Sequence, residues 1–322
     1  MITIDGLEPT YSLFPNNEYN MTLSDSLVDK INRMQQLFSQ VMIDWKFETT
    51  DDVFKLGMLL SAMEQTNADN VVIELGYLPY SRMDRHDENV VNPFSLEVLI
   101  NMLPVFNRTE YSRTKYIFNS VHNEEVVKTL MNKKIDKVGH ELLSYFISVP
   151  YEIDLAKSYL RESDKTIVVF PDSGSIKRYK EYVDFTDDGF FKFKNSKEKI
   201  PYVFGKKERD FETHKINGYN LYRENGSRFS HTNIYTNAIV IDDISSYGGT
   251  FIKIIDLLEK AKITDVNFAF GNVEDSIFKG DLLSKESLTS VYTTNGLVRE
   301  RNNANVMIKN VYYWKEENKN ET

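Results

Sequence analysis

Residues 238–251 read Ala-Ile-Val-Ile-Asp-Asp-Ile-Ser-Ser-Tyr-Gly-Gly-Thr-Phe, and this stretch decides the fold. Its apolar start is typical of a buried β-strand, which ends in two acids, Asp242 and Asp243. A polar loop with Gly248 and Gly249 follows, and the apolar residues after it recur at helical spacing. The stretch therefore predicts a strand, a tight loop and a helix, in that order.

The predicted loop suits an anion, and the acids beside it suit a diol. Backbone N–H groups at a helix N-terminus point at an anion, and Gly248 and Gly249 let the backbone approach it closely. Asp242 and Asp243 are placed to accept hydrogen bonds from ribose hydroxyls. We therefore predict a ribose-phosphate site; the alternative is an ordinary strand–turn–helix connection with solvated acids. Besides the acids, the predicted site consists of Ser245, Ser246, Tyr247, Gly248, Gly249 and Thr250.

This stretch resembles the phosphoribosyl-pyrophosphate (PRPP) loop of type I phosphoribosyltransferases and of PRPP synthetases, which are ribose-phosphate diphosphokinases. A second segment favours the synthetases. Residues 77–85 read Tyr-Leu-Pro-Tyr-Ser-Arg-Met-Asp-Arg, similar to a Pro-Tyr-x-Arg-x-Asp-Arg segment that phosphoribosyltransferases lack. The resemblance implies that Arg82, Asp84 and Arg85 bind ATP, since guanidinium groups suit a polyphosphate. A surface ion pair among these three residues is the alternative.

Two further segments follow the order of the same family. Residues 168–178 contain Pro-Asp-Ser-Gly and are similar to the family's Pro-Asp-x-Gly segment, which implies that Asp172 helps to position metal and ribose. Residues 206–218 resemble the family's mobile catalytic loop. This resemblance implies that Lys207 and Arg209 are catalytic and stabilise charge on the transferred diphosphoryl group. Taken alone, such a basic loop would be interpreted as a solvated surface.

The resemblance also implies a metal site and an adenine site. A diphosphokinase uses a divalent metal to bridge the ATP phosphates, so we expect Mg²⁺. His122 matches a magnesium-ligand His of the family and joins Asp172, although Ser120 replaces the family's Asp; a helix-capping role is the alternative. His86 is expected to line the ATP site or to lie on the surface. For the family's adenine aromatic, within Arg-Phe-Ser-Asp-Gly-Glu, Phe47 is the nearest match, with a core position as the alternative.

Bulk composition narrows the function classes. The 322 residues suffice for two domains, and a hydrophobic content of 41% can form their cores. The absence of cysteine excludes disulfides and thiolate metal sites. No run of 18 apolar residues and no signal-peptide pattern occurs, so we expect no membrane segment. We also expect a cytoplasmic location, which is the host cytoplasm if a bacteriophage encodes the chain. A net charge of −9 argues against nonspecific nucleic-acid binding.

Apolar strand patterns alternate with helical patterns along the chain, which predicts an α/β fold with parallel sheets covered by helices. The strand patterns cover residues 71–75, 116–119, 167–170, 202–204, 238–241, 266–270 and 290–292. The family resemblance implies two tandem phosphoribosyltransferase-like domains, at 1–148 and 149–303, with 304–322 returning to the first. It covers roughly residues 45–310 and is closest to divergent PRPP-synthetase-like proteins of bacteriophages; residues 1–44 receive no function.

The implied reaction is transfer of the β,γ-diphosphoryl group of Mg-ATP to the C1 hydroxyl of a ribosyl phosphate, which releases AMP. The family also implies a homo-oligomer, either a dimer or a hexamer, and a place in nucleotide or NAD synthesis. A catalytically inactive, nucleotide-binding regulator is an alternative that the retained Lys207 and Arg209 oppose. A phosphoribosyltransferase that consumes PRPP is a second alternative, which the segment at 77–85 opposes.

The acceptor stays open between two ribosyl phosphates. Where the family has Asp-Thr-Gly-Gly-Thr, residues 246–250 read Ser-Tyr-Gly-Gly-Thr. Tyr247 brings an aromatic ring that can stack on a base, and the lost acid removes repulsion toward a second phosphate. The acceptor is therefore ribose 5-phosphate, giving PRPP, or ADP-ribose, giving ADP-ribose pyrophosphate.

Overall fold

The computed structural model describes residues 1–86, 91–148, 150–160, 165–194, 196–209, 216–230, 234–299 and 303–309, without the side chains of 208, 209, 216 and 217. The described chain forms two compact units, which meet in sequence between Ser148 and Val149. Each unit has its own sheet, and the described residues form one hydrophobic core in the first unit and two in the second.

The first unit is built on a five-stranded sheet of order β1-β4-β5-β6-β7. Strands β4 to β7 are parallel, and β1 runs antiparallel to β4. The sheet strands are β1 (Ile2–Thr3), β4 (Val41–Trp45), β5 (Asn70–Leu75), β6 (Arg113–Phe118) and β7 (Leu143–Ile147), and a separate hairpin consists of β2 (Thr10–Leu13) and β3 (Tyr19–Thr22). The helices are α1 (Asp25–Phe38), α2 (Asp51–Met63), α3 (Ser95–Met102) and α4 (Glu124–Val138).

The parallel strands β4 and β5 of this sheet are buried because helices cover them. Every residue of β4 is buried, as are the last five residues of β5, and such continuous burial is typical of parallel strands. One apolar core joins these strands to the inward faces of the helices, for example Leu27 and Ile31 of α1 and Leu56 and Leu59 of α2. Their spacing of three or four residues is that of an amphipathic helix.

The second unit contains a larger sheet of order β16-β15-β14-β13-β8-β11-β10-β9, with β12 pairing to β11. The strands from β16 to β11 are parallel, while β9, β10 and β12 make antiparallel pairs. The strands are β8 (Thr166–Phe170), β9 (Val183–Thr186), β10 (Phe190–Phe193), β11 (Ile200–Arg209), β12 (Ile216–Tyr222), β13 (Asn237–Ser245), β14 (Asp265–Val273), β15 (Leu288–Thr294) and β16 (Val306–Lys309). The helices are α5 (Tyr151–Leu160), α6 (Ser173–Tyr179) and α7 (Gly249–Lys260).

Alternate residues of the second sheet enter two different cores. Ala238 and Val240 of β13 pack in the core that contains Ile254 of α7, while Ile239 and Ile241 pack in the core that contains Ile153 of α5. Since successive side chains of a strand point to opposite faces, both faces of the sheet are covered. The predicted α/β class with mainly parallel sheets and flanking helices is confirmed.

Part of the segment 304–322, which was expected to return to the first domain, belongs to the second sheet. Val306–Lys309 forms β16, which pairs with β15 in the second sheet and does not return to the first. Residues 310–322 lie outside the described part. Strand pairing explains the difference, because β16 continues the parallel ladder beside β15 and satisfies backbone groups of an otherwise open edge.

Candidate active site

Gly248 opens the helix of the predicted ribose-phosphate segment. It is the N-cap of α7 with a φ of +83°, a left-handed conformation that favours glycine. A Cβ at Gly248 would lie 2.7 Å from Leu282, whereas a Cβ at Gly249 would meet nothing within 4 Å. The backbone of Gly249 therefore borders open space. No side chain among the described residues caps α7, so its first turn offers its N–H groups to an anion.

Residues 274–284 pack against the same loop and contact its backbone. The amide of Glu274 donates to the carbonyl of Ser245 at 2.9 Å, and Gly280 approaches the backbone of Tyr247 so closely that a Cβ would overlap its carbonyl oxygen. The side chain of Tyr247 is 59% exposed. The loop is thus held by its backbone, and the Tyr247 ring is accessible to a ligand.

Asp242 and Asp243 are joined by a residue that the sequence did not single out, Arg178 of α6. Its Nη1 lies 2.7 Å from Asp242 Oδ1 and 2.6 Å from Asp243 Oδ1. All three side chains are largely buried, with exposures of 12% for Arg178, 16% for Asp242 and 5% for Asp243. Burial and the Asp243 charge raise the pKa of Asp242 to about 7, and Arg178 opposes this rise. The acid pair is therefore a fixed, partly neutralised group.

Asp172 reaches the acid pair through Ser175. As the N-cap of α6, Asp172 accepts bonds at Oδ1 from the Ser175 amide at 2.9 Å and the Ser175 hydroxyl at 3.2 Å. The Ser175 hydroxyl also lies 3.3 Å from Asp242 Oδ1. Asp172, Ser175 and Arg178 are spaced three apart, which places them on one side of the helix. That spacing is the sequence signal that could have identified Arg178.

The predicted catalytic segment extends from the second sheet as an antiparallel ribbon of β11 and β12. Lys206 stacks its ammonium over the rings of Phe204, at 5.0 Å, and Tyr222, at 5.3 Å. Lys207, the next residue, is exposed and points to the other face of the ribbon. The alternation thus separates two adjacent lysines, and Lys207 is the one with no ring stacked on it among the described contacts. Arg209 ends β11, and its side chain lies outside the described part, as do residues 210–215.

In the first unit, the arginine segment follows β5 as a tight turn. Tyr80 adopts a left-handed φ of +60°, and the amide of Met83 donates to the Tyr80 carbonyl at 2.8 Å. Arg82 and Arg85 are exposed on this turn, whereas Asp84 is half-buried. The two predicted ATP-binding arginines therefore face solvent.

Asp84 connects the arginine segment to the loop that contains His122. Asn123, the N-cap of α4, donates from Nδ2 to Asp84 Oδ2 at 2.7 Å. His122 is half-buried directly before that cap. These loops follow β5 and β6, neighbouring parallel strands whose carboxyl ends share one edge. His86 is exposed; its Nδ1 lies 3.0 Å from the Asn92 carbonyl oxygen.

The predicted metal residues lie in different units, His122 in the first and Asp172 in the second. Within the described ranges, no three His, Asp or Glu side chains converge as a metal-binding group. Asp172 and His122 therefore stay predictions as magnesium ligands. The described residues do not form a metal site in which several side chains act as ligands.

Phe47 is a half-buried residue packed against the core of the first unit, with its ring edge-to-face to Tyr80 at 6.4 Å. In the β2–β3 hairpin, residues 13–19 read Leu-Phe-Pro-Asn-Asn-Glu-Tyr, which contains a Phe-x-x-x-Glu spacing. Phe14 is 52% exposed at its tip, and Asn17 takes a left-handed φ of +65°, as Gly would.

Comparison with known proteins identifies the fold. Neither a protein-family model nor a curated protein matches the sequence. Among solved structures, the chain is similar to a phosphoribosylpyrophosphate synthetase from Mycobacterium smegmatis, with a TM-score of 0.61. The similarity covers 94% of this chain and 86% of that one, at 14% sequence identity. This chain has a PRPP synthetase-like fold. At such identity, the likeness establishes the fold and leaves the reaction to the site chemistry.

The described helices give no indication of a membrane segment. Each of them is too short or too polar to cross the hydrocarbon region of a bilayer.

Proposed function

We propose that this chain transfers the β,γ-diphosphoryl group of Mg-ATP to the C1 hydroxyl of a ribosyl phosphate. The hydroxyl oxygen forms a bond to the β-phosphorus of ATP. The bond from that phosphorus to the oxygen shared with the α-phosphate breaks, AMP leaves, and the hydroxyl proton passes to solvent. In this kind of reaction the protein contributes mainly positioning and charge stabilisation.

The buried acid pair near the end of β13 is the observation that carries this proposal. Asp242 and Asp243 lie in a buried strand that continues to Ser245, a short loop connects that strand to an uncapped helix N-terminus, and Arg178 holds the two acids at 2.7 and 2.6 Å. Carboxylates accept hydrogen bonds from the 2- and 3-hydroxyls of ribose, while the N–H groups of residues 245–250 suit its 5-phosphate. A ribose phosphate combines a diol and a phosphate, and so it matches both halves of the site.

Cations on two segments would serve the polyphosphate. In the proposal, Arg82 and Arg85 bind the ATP phosphates, to which each guanidinium offers a fork of donors. Lys207 and Arg209 stabilise the charge that develops during transfer. The exposure of Arg82, Arg85 and Lys207 supports these roles, because a cation that a ligand must reach cannot be covered by the protein.

When bound with ATP, magnesium would neutralise part of the phosphate charge. The carboxylate of Asp172 fits this hard cation, which prefers carboxylate, phosphate and water oxygens and retains several waters, whereas the His122 imidazole is a nitrogen donor. Asp172 would contribute its carboxylate and His122 its imidazole. Because the described residues form no cluster of three ligands, ATP and water would provide most of the coordination.

For adenine, we propose Phe14 in preference to Phe47. Phe14 is exposed at the tip of a hairpin whose turn is held by the Phe14 amide, which donates to the Glu18 carbonyl at 2.8 Å. In a homo-oligomer, such a tip can stack on a base bound to a neighbouring copy, as the family resemblance implies. The oligomer itself, a role in nucleotide or NAD synthesis, and kinship with bacteriophage proteins belong to the same proposal.

The acceptor is ribose 5-phosphate or ADP-ribose. The exposed ring of Tyr247 on a fixed loop favours an acceptor with a base to stack on, and base–aromatic stacking contributes about 1–3 kcal/mol. Tyr247→Thr should therefore weaken the binding of ADP-ribose roughly 10-fold or more and change the binding of ribose 5-phosphate by less than about threefold. Unchanged selectivity would remove the stacking argument.

AMP release from Mg-ATP tests the reaction directly. The assay compares ribose 5-phosphate and ADP-ribose as acceptors, and mass spectrometry identifies the product. A product heavier than its acceptor by one diphosphoryl group, together with equimolar AMP, is expected with at least one acceptor. No AMP with either acceptor would reject the diphosphokinase and favour a nucleotide-binding regulatory protein.

Two adjacent lysines provide the matched control. Lys207→Ala should lower kcat by roughly 10²–10³-fold, the usual effect of removing one group that stabilises developing charge. Lys206→Ala removes the same charge from the opposite face of the ribbon, where it stacks on Phe204 and Tyr222, and should change kcat less than about threefold. Equal effects of the two substitutions would mean that the Lys207 site is misassigned.

A further inference from the structure

Tyr219 stands opposite Lys207 in the β11–β12 ribbon. The antiparallel register pairs Lys207 with Tyr219 and Gly205 with Leu221. Directly opposed residues of an antiparallel pair place their side chains on the same face. Lys207 and Tyr219 are therefore side-by-side neighbours on one face, while Lys206 stacks on aromatic rings of the other.

The Tyr219 side chain crosses Gly205 and reaches the loop that contains Asp172. Its hydroxyl donates to the carbonyl oxygen of Pro171 at 2.6 Å. A Cβ at residue 205 would overlap both the Tyr219 hydroxyl and the Pro171 carbonyl, so only glycine at this position permits the contact. A glycine and a tyrosine on separate strands thus form one bridge between the ribbon and the residue before Asp172.

The Tyr219 hydroxyl also lies in the field of the acidic site. Burial raises its pKa, and the charges of Asp172 and Asp242 raise it further. The phenol accordingly stays protonated and remains a hydrogen-bond donor at neutral pH. Both carboxylates belong to the group that surrounds the proposed ribose-phosphate site, which places the hydroxyl at its border.

We propose that Tyr219 is a positioning residue, whose bond to Pro171 fixes the strand that carries Lys207 relative to the loop that carries Asp172. The proposal rests on the diphosphoryl transfer proposed above. A cation stabilises a developing charge only when it is held in place, and a displacement of about 1 Å can cost roughly 10²-fold in rate. The bond from Tyr219 to Pro171 supplies that constraint. It crosses β11 at Gly205, two residues before Lys207.

The test is Tyr219→Phe, which removes the hydroxyl and keeps the ring. We expect kcat to fall 10-fold to 100-fold and the KM values for ATP and acceptor to stay within threefold, because binding groups are unchanged. Tyr222→Phe is the matched control, since it removes a hydroxyl from the other face of the same strand; its kcat should stay within twofold. A wild-type kcat in Tyr219→Phe would overturn the proposal.

A double-mutant cycle separates positioning from a general structural effect. If Tyr219 acts through Lys207, then Tyr219→Phe added to Lys207→Ala should lower the remaining kcat less than twofold. A merely structural role would multiply the two losses in full. Full multiplication would therefore also overturn the proposal.

Hydrogen exchange keeps the inference testable if the transfer reaction itself is refuted. Tyr219→Phe should speed amide exchange in peptides that cover 200–209 and 216–222 about 10-fold, and Tyr222→Phe should leave it unchanged. No AMP from the wild-type chain, with faster exchange in Tyr219→Phe, would refute the reaction and retain the bridge. Unchanged exchange would refute the bridge whatever the reaction.

Discussion

The two sheets end in edges of opposite character. At the carboxyl edge of the second sheet, the charged groups are buried and paired: Arg178, Asp242 and Asp243 form one cluster with exposures of 5–16%. At the corresponding edge of the first sheet, Arg82 and Arg85 are exposed on a turn. The charged groups of the second sheet are therefore held in place by buried partners, whereas the arginines of the first sheet lie in solvent.

The difference has an energetic origin. A buried charge requires a partner, and removing one member of a buried ion pair leaves an uncompensated charge. Exposed arginines stay hydrated, so they contribute little to the free energy of unfolding until a phosphate binds. Substitutions at the carboxyl edge of the second sheet should therefore change both ligand binding and folding stability, while substitutions at the carboxyl edge of the first sheet should change ligand binding alone.

Arg178→Gln should break this contrast most strongly. Loss of the guanidinium leaves Asp242 and Asp243 buried side by side, so the free energy of unfolding should fall by about 3–5 kcal/mol and the transfer activity should be lost. Urea unfolding followed by circular dichroism measures the change. A variant as stable as the wild type would show that the acid pair needs no internal cation.

Arg82→Gln and Arg85→Gln test the exposed edge. Each should raise the KM for ATP roughly 10–100-fold, since a charged hydrogen bond contributes about 1.5–3 kcal/mol. The free energy of unfolding should change by less than about 0.5 kcal/mol. Arg113→Gln, at the start of β6 and so at the opposite edge of the same sheet, is the control for ATP binding and should leave the KM for ATP unchanged. A KM effect equal to that of the control would remove the ATP assignment.

The smallest expected effect is a pH dependence from Asp242. Its pKa is about 7 in the folded chain, against about 3.9 in an unfolded one. Between these values the folded state keeps a proton that the unfolded chain has lost. The contribution of Asp242 to folding is therefore largest below pH 4, declines as the pH rises to about 7, and is constant above it.

Urea unfolding of the wild type and of Asp242→Asn across pH 4–8 measures this term, because the asparagine does not titrate. The difference between the two unfolding free energies should shift in favour of the variant as the pH rises to 7. A difference that is flat with pH would mean that Arg178 holds the carboxylate ionised throughout.

Several site features were predictable because they depend on neighbouring residues only. The run from Ala238 to Phe251 encodes a strand, two acids, a glycine loop and a helix within fourteen residues, and β13 and α7 have that order. Gly248 has the left-handed φ that a tight loop needs. Periodicity and turn chemistry are local, so they can be inferred without knowing the fold.

Other features depended on long-range packing and were missed. Arg178 is 64 residues from Asp242 in sequence, and Tyr219 is 48 from Pro171. The proposal for Phe14 concerns a hairpin within residues 1–44, where the sequence alone indicated no function. The adenine contact of Phe47 and the magnesium contact of His122 remain predictions from the sequence.

By itself, the sequence determined the alternation of strands and helices, the acid–glycine loop and the identities of the charged segments, since each follows from local patterns. Tertiary structure alone decided which of these groups meet. Because β13 lies beside β8 and β8 beside β11, their carboxyl ends converge at one edge. That strand order brings Arg178 to the acid pair and Tyr219 to Pro171, and no local pattern encodes it.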